Sequence, residues 1–197
     1  MAIPVDFWFD PGCPLTWRTS RWLSEVAARR QLEISWHLMS LWELDQHRDL
    51  GPESRDQHEA LRRVGLVLEA VRQEYGNDNL GAAYTSIGTR LHDSNQHPDE
   101  GTIAAALADE GLPHRLIEHS RSEQIAEAIR ISHQRSQTLV GEETRSPVLS
   151  VDGGPGFYGP IVVPAPTGEE ADQLFDAVVL LSQVPAFSEL KRSRRPL

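Results

Sequence analysis

The chain is poor in cysteine, since its 197 residues include only Cys13. One cysteine cannot form an internal disulfide or a thiolate metal cage, so it is either a free thiol or a small buried hydrophobic side chain. No apolar stretch reaches the roughly 20 residues needed to cross a bilayer. A basic segment followed by a long apolar run, typical of a secretory signal, is also missing from the N-terminus. We therefore expect a soluble, cytoplasmic protein without a membrane partner.

The chain also has fewer basic than acidic residues. Nineteen Lys and Arg stand against 29 Asp and Glu, which gives a formal net charge of −10. Such a surface repels nucleic acid phosphates, so we expect no nucleic-acid partner. The length and the 39% hydrophobic content suit one compact domain, which can carry a large insertion.

The first 40 residues follow the pattern of a strand, a helix and a second strand. Pro4 to Phe9 predicts a strand, and Asp10-Pro11-Gly12 predicts the turn that closes it. An amphipathic helix is then predicted to about Arg30, with Pro14 in its first turn. Alternation from Leu32 to Leu38 predicts a strand with one buried face.

Strand patterns are missing from about 41 to 140, where apolar residues recur at helical spacing between Gly-Pro and Gly-Asn turns. We expect about four packed helices there. Strand character returns at Pro147 to Val151 and near Phe157, and a last helix is predicted after Thr167, which can cap it. The predicted order is therefore βαβ, helices, ββα.

Cys13 is predicted to lie at the start of the first helix, where unpaired N–H groups and the helix dipole stabilise negative charge. This position is expected to lower the pKa of the thiol and make it reactive, although a buried inert thiol is the alternative. Thr16 lies one turn further on. Its hydroxyl can donate a hydrogen bond to the thiolate or bond back to its own helix.

The segment 7–17, Phe-Trp-Phe-Asp-Pro-Gly-Cys-Pro-Leu-Thr-Trp, resembles the DsbA-like thiol oxidoreductases of actinobacteria, in particular the mycothiol-dependent nitroreductase family. The resemblance extends along nearly the whole chain. It is carried further by residues 19–22, 37–41, 88–92, 157–160, 168–170 and 189–192.

This resemblance implies an α/β thioredoxin fold with a helical insertion. Residues 1–40 and 141–197 would then form the thioredoxin-like domain, and residues 41–140 the inserted α-helical domain. The family uses a Cys-Pro-Trp-Cys motif, in which Leu15 here replaces the Trp and Thr16 the second Cys. Without a second cysteine, any exchange must pass through a mixed disulfide between Cys13 and an external thiol.

The resemblance also implies the partners and the remaining site residues. It predicts mycothiol as cosubstrate, together with a small-molecule substrate and no tightly bound cofactor. Ser146 and Pro147 are expected beside Cys13, with Pro147 in a cis bond, so that the backbone of Arg145 and Ser146 can pair with a bound thiol. Pro14 and Trp17 complete the predicted binding residues. Trp17 is chosen from the helical pattern, because it lies off the predicted buried stripe, and a core position is the alternative for it as for the other tryptophans. The spacing of the histidines does not favour a metal site.

Two other functions remain open at this point. Kappa-class glutathione transferases and chromene carboxylate isomerases are similar in architecture, and there a hydroxyl activates a bound thiol, a role that Thr16 can fill. A catalytically degenerate relative that only binds thiols is the third interpretation, suggested by the missing second cysteine. The sequence does not decide between a monomer and a homodimer.

Overall fold

The computed structural model of this chain describes residues 2–49, 51–142 and 144–193. Its centre is a four-stranded sheet in the order β2-β1-β3-β4, formed by β1 (Ile3–Phe9), β2 (Leu32–Leu38), β3 (Val148–Val151) and β4 (Phe157–Tyr158). Within the described part, no helix is both long and apolar enough to cross a membrane.

The first half of the sheet follows directly from the local pattern. β1 and β2 pair in parallel from Ile3 opposite Leu32 to Phe9 opposite Leu38. Helix α1 (Pro14–Arg29) makes the crossover, with a proline in its first turn. Proline is favoured there because the first helical N–H groups have no intrahelical partner. These elements confirm the predicted βαβ unit.

The second half of the sheet is a hairpin followed by a helix. β3 runs antiparallel to β1, with Val5 opposite Val151, and β4 runs antiparallel to β3. Helix α7 (Gly168–Ser182) then packs on α1 through the ring of Phe175, which lies against Trp22. Thr167 occupies the predicted N-cap position, but its side chain makes no capping hydrogen bond.

Helices fill the chain between the two halves of the sheet. They are α2 (Leu41–Asp45), α3 (Pro52–Tyr75), α4 (Asn77–Gly88), a π-turn (Thr89–Asp93), α5 (Glu100–Asp109), a 3-10 helix (His114–Arg121) and α6 (Glu123–Val140). This arrangement confirms an α/β thioredoxin fold with a helical insertion.

One continuous hydrophobic core joins the sheet to the inserted helices. Tyr84 of α4 stacks on Phe9 of β1 with ring centroids 4.0 Å apart, and it also contacts Trp36 of β2. The side chains of the inserted segment and of the sheet are therefore buried against one another. The domain boundaries at 40 and 141 remain predictions. Met1, residue 143 and residues 194–197 of the predicted thioredoxin-like domain lie outside the described residues, as does residue 50 of the predicted insertion.

Candidate active site around Cys13

A tight turn positions Cys13 at the end of β1. The Cys13 N–H donates to the carbonyl of Asp10 over 3.1 Å. The Asp10 carboxylate in turn accepts the N–H groups of Gly12, at 2.8 Å, and Leu41, at 2.7 Å. Asp10 therefore closes the turn and holds it against the start of α2. Cys13 becomes the N-cap of α1, and the following Pro14 is exposed at the helix start.

The sulfur of Cys13 lies beneath the chain that leads into β3. Its residue is 9% exposed, and the Sγ atom is 3.8 Å from the carbonyl oxygen of Ser146. The Ser146–Pro147 bond has the cis geometry that the family resemblance implied. Two segments more than 130 residues apart in the chain therefore meet at the sulfur, as predicted for this fold.

Thr16 and Ser146 form a buried pair of hydroxyls beside the sulfur, with their Oγ atoms 2.5 Å apart. The Ser146 Oγ also accepts the N–H of Asp10 over 2.9 Å. The Thr16–Ser146 hydrogen bond can run in either direction, and the Ser146 hydroxyl donates to Thr16 when the Thr16 proton points to the sulfur. The Thr16 hydroxyl can then donate to the sulfur of Cys13. Thr16 thus faces the sulfur and Ser146, and its hydroxyl does not bond back to its own helix.

The pKa of the Cys13 thiol is raised above its ordinary value, which makes the prediction of a lowered pKa wrong. Burial is the main cause, and the Asp10 carboxylate adds to it. Hydrogen bonds from the Thr16 hydroxyl and from the N–H groups of Thr16 and Leu15 act in the opposite direction. Loss of hydration outweighs the helix N-terminus here, because the thiolate would give up more water than three donors replace.

Trp17 belongs to the core and not to the surface of the site. Its residue is 1% exposed, and its indole N–H donates to Asp93 over 3.1 Å. The predicted placement off the buried stripe is wrong, because α4 and the π-turn cover the face of α1 that carries Trp17. In this structure the Trp17 ring has no surface available to a ligand.

The family of mycothiol-dependent nitroreductases described as Rv2466c-like matches residues 12–192 of the chain. The chain belongs to this family. Leu15 and Thr16 are therefore departures from the Cys-Pro-Trp-Cys motif within a family member, and Cys13 is the one thiol that remains.

A protein from Mycobacterium tuberculosis, the uncharacterized Rv2286c, is 29% identical to the chain over 98% of the chain and 83% of its own length. A 2-hydroxychromene-2-carboxylate isomerase has a similar structure, with a TM-score of 0.61 at 15% identity over 91% of this chain and 95% of that one. The thiol-disulfide exchange protein α-DsbA2 from Wolbachia pipientis matches with a TM-score of 0.60 at 12% identity, over 91% and 81% of the two chains. At such identities the two structures establish the shared fold alone.

An ion pair beside the site of this family member was not foreseen from the sequence. The guanidinium of Arg145 binds the carboxylate of Asp45 through two hydrogen bonds, of 3.1 and 2.9 Å. Arg145 directly precedes Ser146, whose carbonyl oxygen lies 3.8 Å from Sγ of Cys13. The sequence predicted a role for the backbone of Arg145, because this residue precedes Ser146-Pro147. The contact between its side chain and Asp45 depends on the fold.

His92 is a second residue that sequence patterns did not single out for the site. It lies in the π-turn, and its Nε2 atom is 2.8 Å from the carbonyl oxygen of Pro11, in the turn that carries Cys13. Its ring stacks on Trp17. Burial lowers the pKa of His92, so the neutral ring donates this hydrogen bond. Among residues 2–49, 51–142 and 144–193, no three His, Cys, Asp or Glu side chains group as metal ligands.

Proposed function

We propose that this family member is a monothiol oxidoreductase in which Cys13 forms a mixed disulfide with a small external thiol. One observation carries the proposal. The only cysteine of the chain lies at a helix N-cap, 3.8 Å from the Ser146 carbonyl that precedes Pro147. A bound thiol that pairs with the backbone of this segment has its sulfur next to Sγ of Cys13.

The exchange step needs no second cysteine in the protein. The Cys13 thiolate attacks one sulfur of a disulfide RS–SR′, the S–S bond breaks, and R′S⁻ leaves with the electron pair. The proton that Cys13 lost ends on R′S⁻ through the solvent. A second thiol, R″SH, then attacks the Cys13–SR bond, which releases RS–SR″ and restores the reduced enzyme. The protein gains and loses no net electrons over the cycle.

In this proposal Thr16 and Ser146 stabilise the thiolate anion of Cys13. Because the pKa of the resting thiol is raised, the thiolate forms only as the reaction begins. At that point the Thr16 hydroxyl donates to the sulfur, and the Ser146 hydroxyl keeps the Thr16 hydroxyl oriented. A hydrogen bond to a charged acceptor is worth about 1.5–3 kcal/mol, which favours the ionised state during attack.

Mycothiol is the thiol that membership of this family supports. A reaction that depends on reduced low-molecular-weight thiols suits a reducing compartment, so the proposal includes a cytoplasmic location. The physiological substrate would be a small molecule, because the family is described as nitroreductases, which act on nitro compounds. Pro14 is included among the binding residues because it is the exposed neighbour of Cys13.

Intact-mass spectrometry tests the proposal. The folded protein is exposed to mycothiol disulfide and, separately, to glutathione disulfide, and we expect one mixed-disulfide adduct that identifies the preferred thiol. Cys13→Ser is the matched control and should carry no adduct and no reductase turnover. If the folded wild-type protein forms no adduct with either disulfide, the monothiol mechanism is wrong.

A transferase or isomerase activity is the second candidate, favoured by the buried Thr16–Ser146 hydroxyl pair and the protonated thiol of Cys13. In that reaction a hydroxyl would activate the thiol of a bound cosubstrate, and Cys13 would be dispensable. Conjugation or isomerisation activity that survives in Cys13→Ser and disappears in Thr16→Val would favour it over the mixed-disulfide mechanism.

A further inference from the structure

Three basic side chains gather around one buried carboxylate next to the Cys13 site. Asp45 is 4% exposed, and Arg145 binds both of its oxygens. Arg48 approaches the same carboxylate with its Nε atom at 3.2 Å, and the Nδ1 atom of His58 lies 4.0 Å from it. A single negative charge is therefore shared by two guanidinium groups and an imidazole.

The acidic member of this cluster is buried, whereas its basic members reach the solvent. The side chain of Arg145 is 42% exposed and that of Arg48 is 59% exposed. Arg145 uses two of its five N–H donors on Asp45. Within residues 2–49, 51–142 and 144–193, no other acceptor binds the remaining three. The two arginines that this cluster exposes are thus cationic, on a chain whose formal net charge is −10.

The backbone next to Arg145 lies close to the reacting atom, and the guanidinium of Arg145 is held by Asp45 within electrostatic range of Cys13. The next residue in the chain, Ser146, contributes the carbonyl that lies 3.8 Å from Sγ of Cys13. The two-point contact with Asp45 limits the guanidinium to one orientation, because bidentate pairs hold both partners in a plane. The Asp10 carboxylate also acts on the sulfur, and both of its oxygens are occupied by backbone N–H groups.

We propose that Arg145, held by Asp45, selects reactants that bring an anionic group to the sulfur of Cys13. The selected reactant would be the small-molecule substrate and not the thiol cosubstrate. Its class would be small electrophiles or disulfides with a carboxylate near the bond that Cys13 attacks, bound through the unused N–H donors of Arg145. This inference rests on the proposed function, since it requires Cys13 to react with small molecules in the folded protein. It adds a preference that the monothiol mechanism alone does not contain.

Iodoacetate and iodoacetamide form a matched pair of probes, because they differ in one carboxylate and both alkylate a thiolate with loss of iodide. The measured quantity is the rate constant for iodoacetate divided by the rate constant for iodoacetamide, on one protein at one pH. The fraction of Cys13 present as thiolate is the same for both reagents and cancels from this ratio. We expect this ratio for wild-type Cys13, at low ionic strength, to exceed that of 2-mercaptoethanol about threefold or more, as a unit charge within several ångströms produces. Added salt should lower it.

Three variants assign the effect to its residue. Arg145→Gln should reduce the ratio about threefold or more, whereas Arg145→Lys, which keeps the charge, should retain most of it. Arg29→Gln, which removes an exposed charge at the far end of α1, should leave the ratio unchanged. The wild-type measurement stands even if Arg145→Gln does not fold.

The possible results separate this inference from the proposed function. A reactive Cys13 whose ratio does not exceed that of 2-mercaptoethanol, or does not fall in Arg145→Gln, overturns the selectivity and leaves the monothiol mechanism intact. A folded protein that reacts with neither reagent overturns both. If the ratio also falls in Arg29→Gln, the preference for iodoacetate comes from the overall charge of the protein and not from Arg145, and the inference is wrong.

Discussion

At the scale of single residues, the site depends on which groups replace water around the sulfur of Cys13. The thiol is buried, and its anion has the Thr16 hydroxyl and the N–H groups of Thr16 and Leu15 as donors. Thr16 occupies the place of the second cysteine of the family motif. The replacement of this cysteine by Thr16 therefore removes a second thiol that could resolve a mixed disulfide, and puts a hydrogen-bond donor for the Cys13 thiolate at the same position. An external thiol must then resolve the mixed disulfide.

Thr16→Val removes that donor while it keeps the shape of the side chain. We expect the pKa of the Cys13 thiol to rise further, because the thiolate loses a hydrogen bond while its burial is unchanged. The rate of alkylation by iodoacetamide at pH 7 should fall about tenfold. Thr16→Ser, which keeps the hydroxyl, is the control and should react at nearly the wild-type rate. Equal rates in all three proteins would mean that Thr16 does not act on the sulfur.

At the scale of elements, the inserted helices decide which face of α1 is covered. Helix α4 ends at Gly88, directly against the ring of Trp17. The π-turn continues from that point and brings His92 to the carbonyl of Pro11. The turn that carries Cys13 is thus held by contacts from the helical insertion as well as from the sheet. A change in the packing of α4 should therefore also change the position of this turn.

Two buried helical glycines make a matched pair for testing this packing. A Cβ atom at Gly88 would overlap the ring of Trp17, whereas one at Gly65 in α3 would lie 3.9 Å from Ile129 and Pro11. We expect Gly88→Ala to lower the free energy of unfolding by about 1–3 kcal/mol.

Gly65→Ala should instead raise the free energy of unfolding by about 0.5–1 kcal/mol, because alanine restricts the unfolded chain and fits the available space. Urea unfolding measures both variants. A Gly88→Ala protein as stable as the wild type would show that α4 does not press on Trp17 in solution. Loss of stability in Gly65→Ala would show that the contact beside Pro11 is tighter than an ordinary van der Waals distance.

At the scale of the whole molecule, one core joins the sheet and the inserted helices, and it buries two histidines in its outer layer. Burial lowers the pKa of His92 and of His133. Below about pH 6.5, which is the ordinary value for histidine, the unfolded chain binds protons that the folded chain does not take up. The free energy of unfolding must therefore fall as the pH falls through this value, and it continues to fall until the folded histidines also titrate.

Urea unfolding at several pH values between 7.5 and 5.5 tests this dependence. The slope of the free energy of unfolding against pH should be positive in the wild type and smaller in a His92→Gln/His133→Gln double variant. Glutamine at 92 keeps an N–H donor for the carbonyl of Pro11. The exposed His114→Gln is the control and should keep the wild-type slope. The same slope in the double variant would exclude these two histidines as its source.

The sequence by itself determined the elements and their order. The strands β1 and β2, the helix α1 and the hairpin of β3 and β4 follow from alternation, helical spacing and Pro-Gly turns, which act over a few residues. It also determined that Cys13 begins a helix, since Asp10-Pro11-Gly12 closes the strand before it. Motif resemblance added the thioredoxin arrangement and the approach of Ser146-Pro147 to the thiol.

Only the tertiary structure decided the environment of those residues. Trp17 is buried because α4 covers it, and the pKa of Cys13 is raised because packing excludes water from the sulfur. The pairing of Asp45 with Arg145 joins residues 100 positions apart. Desolvation and long-range charge depend on atoms from every element that meets at a point in space, and local sequence patterns do not contain that information.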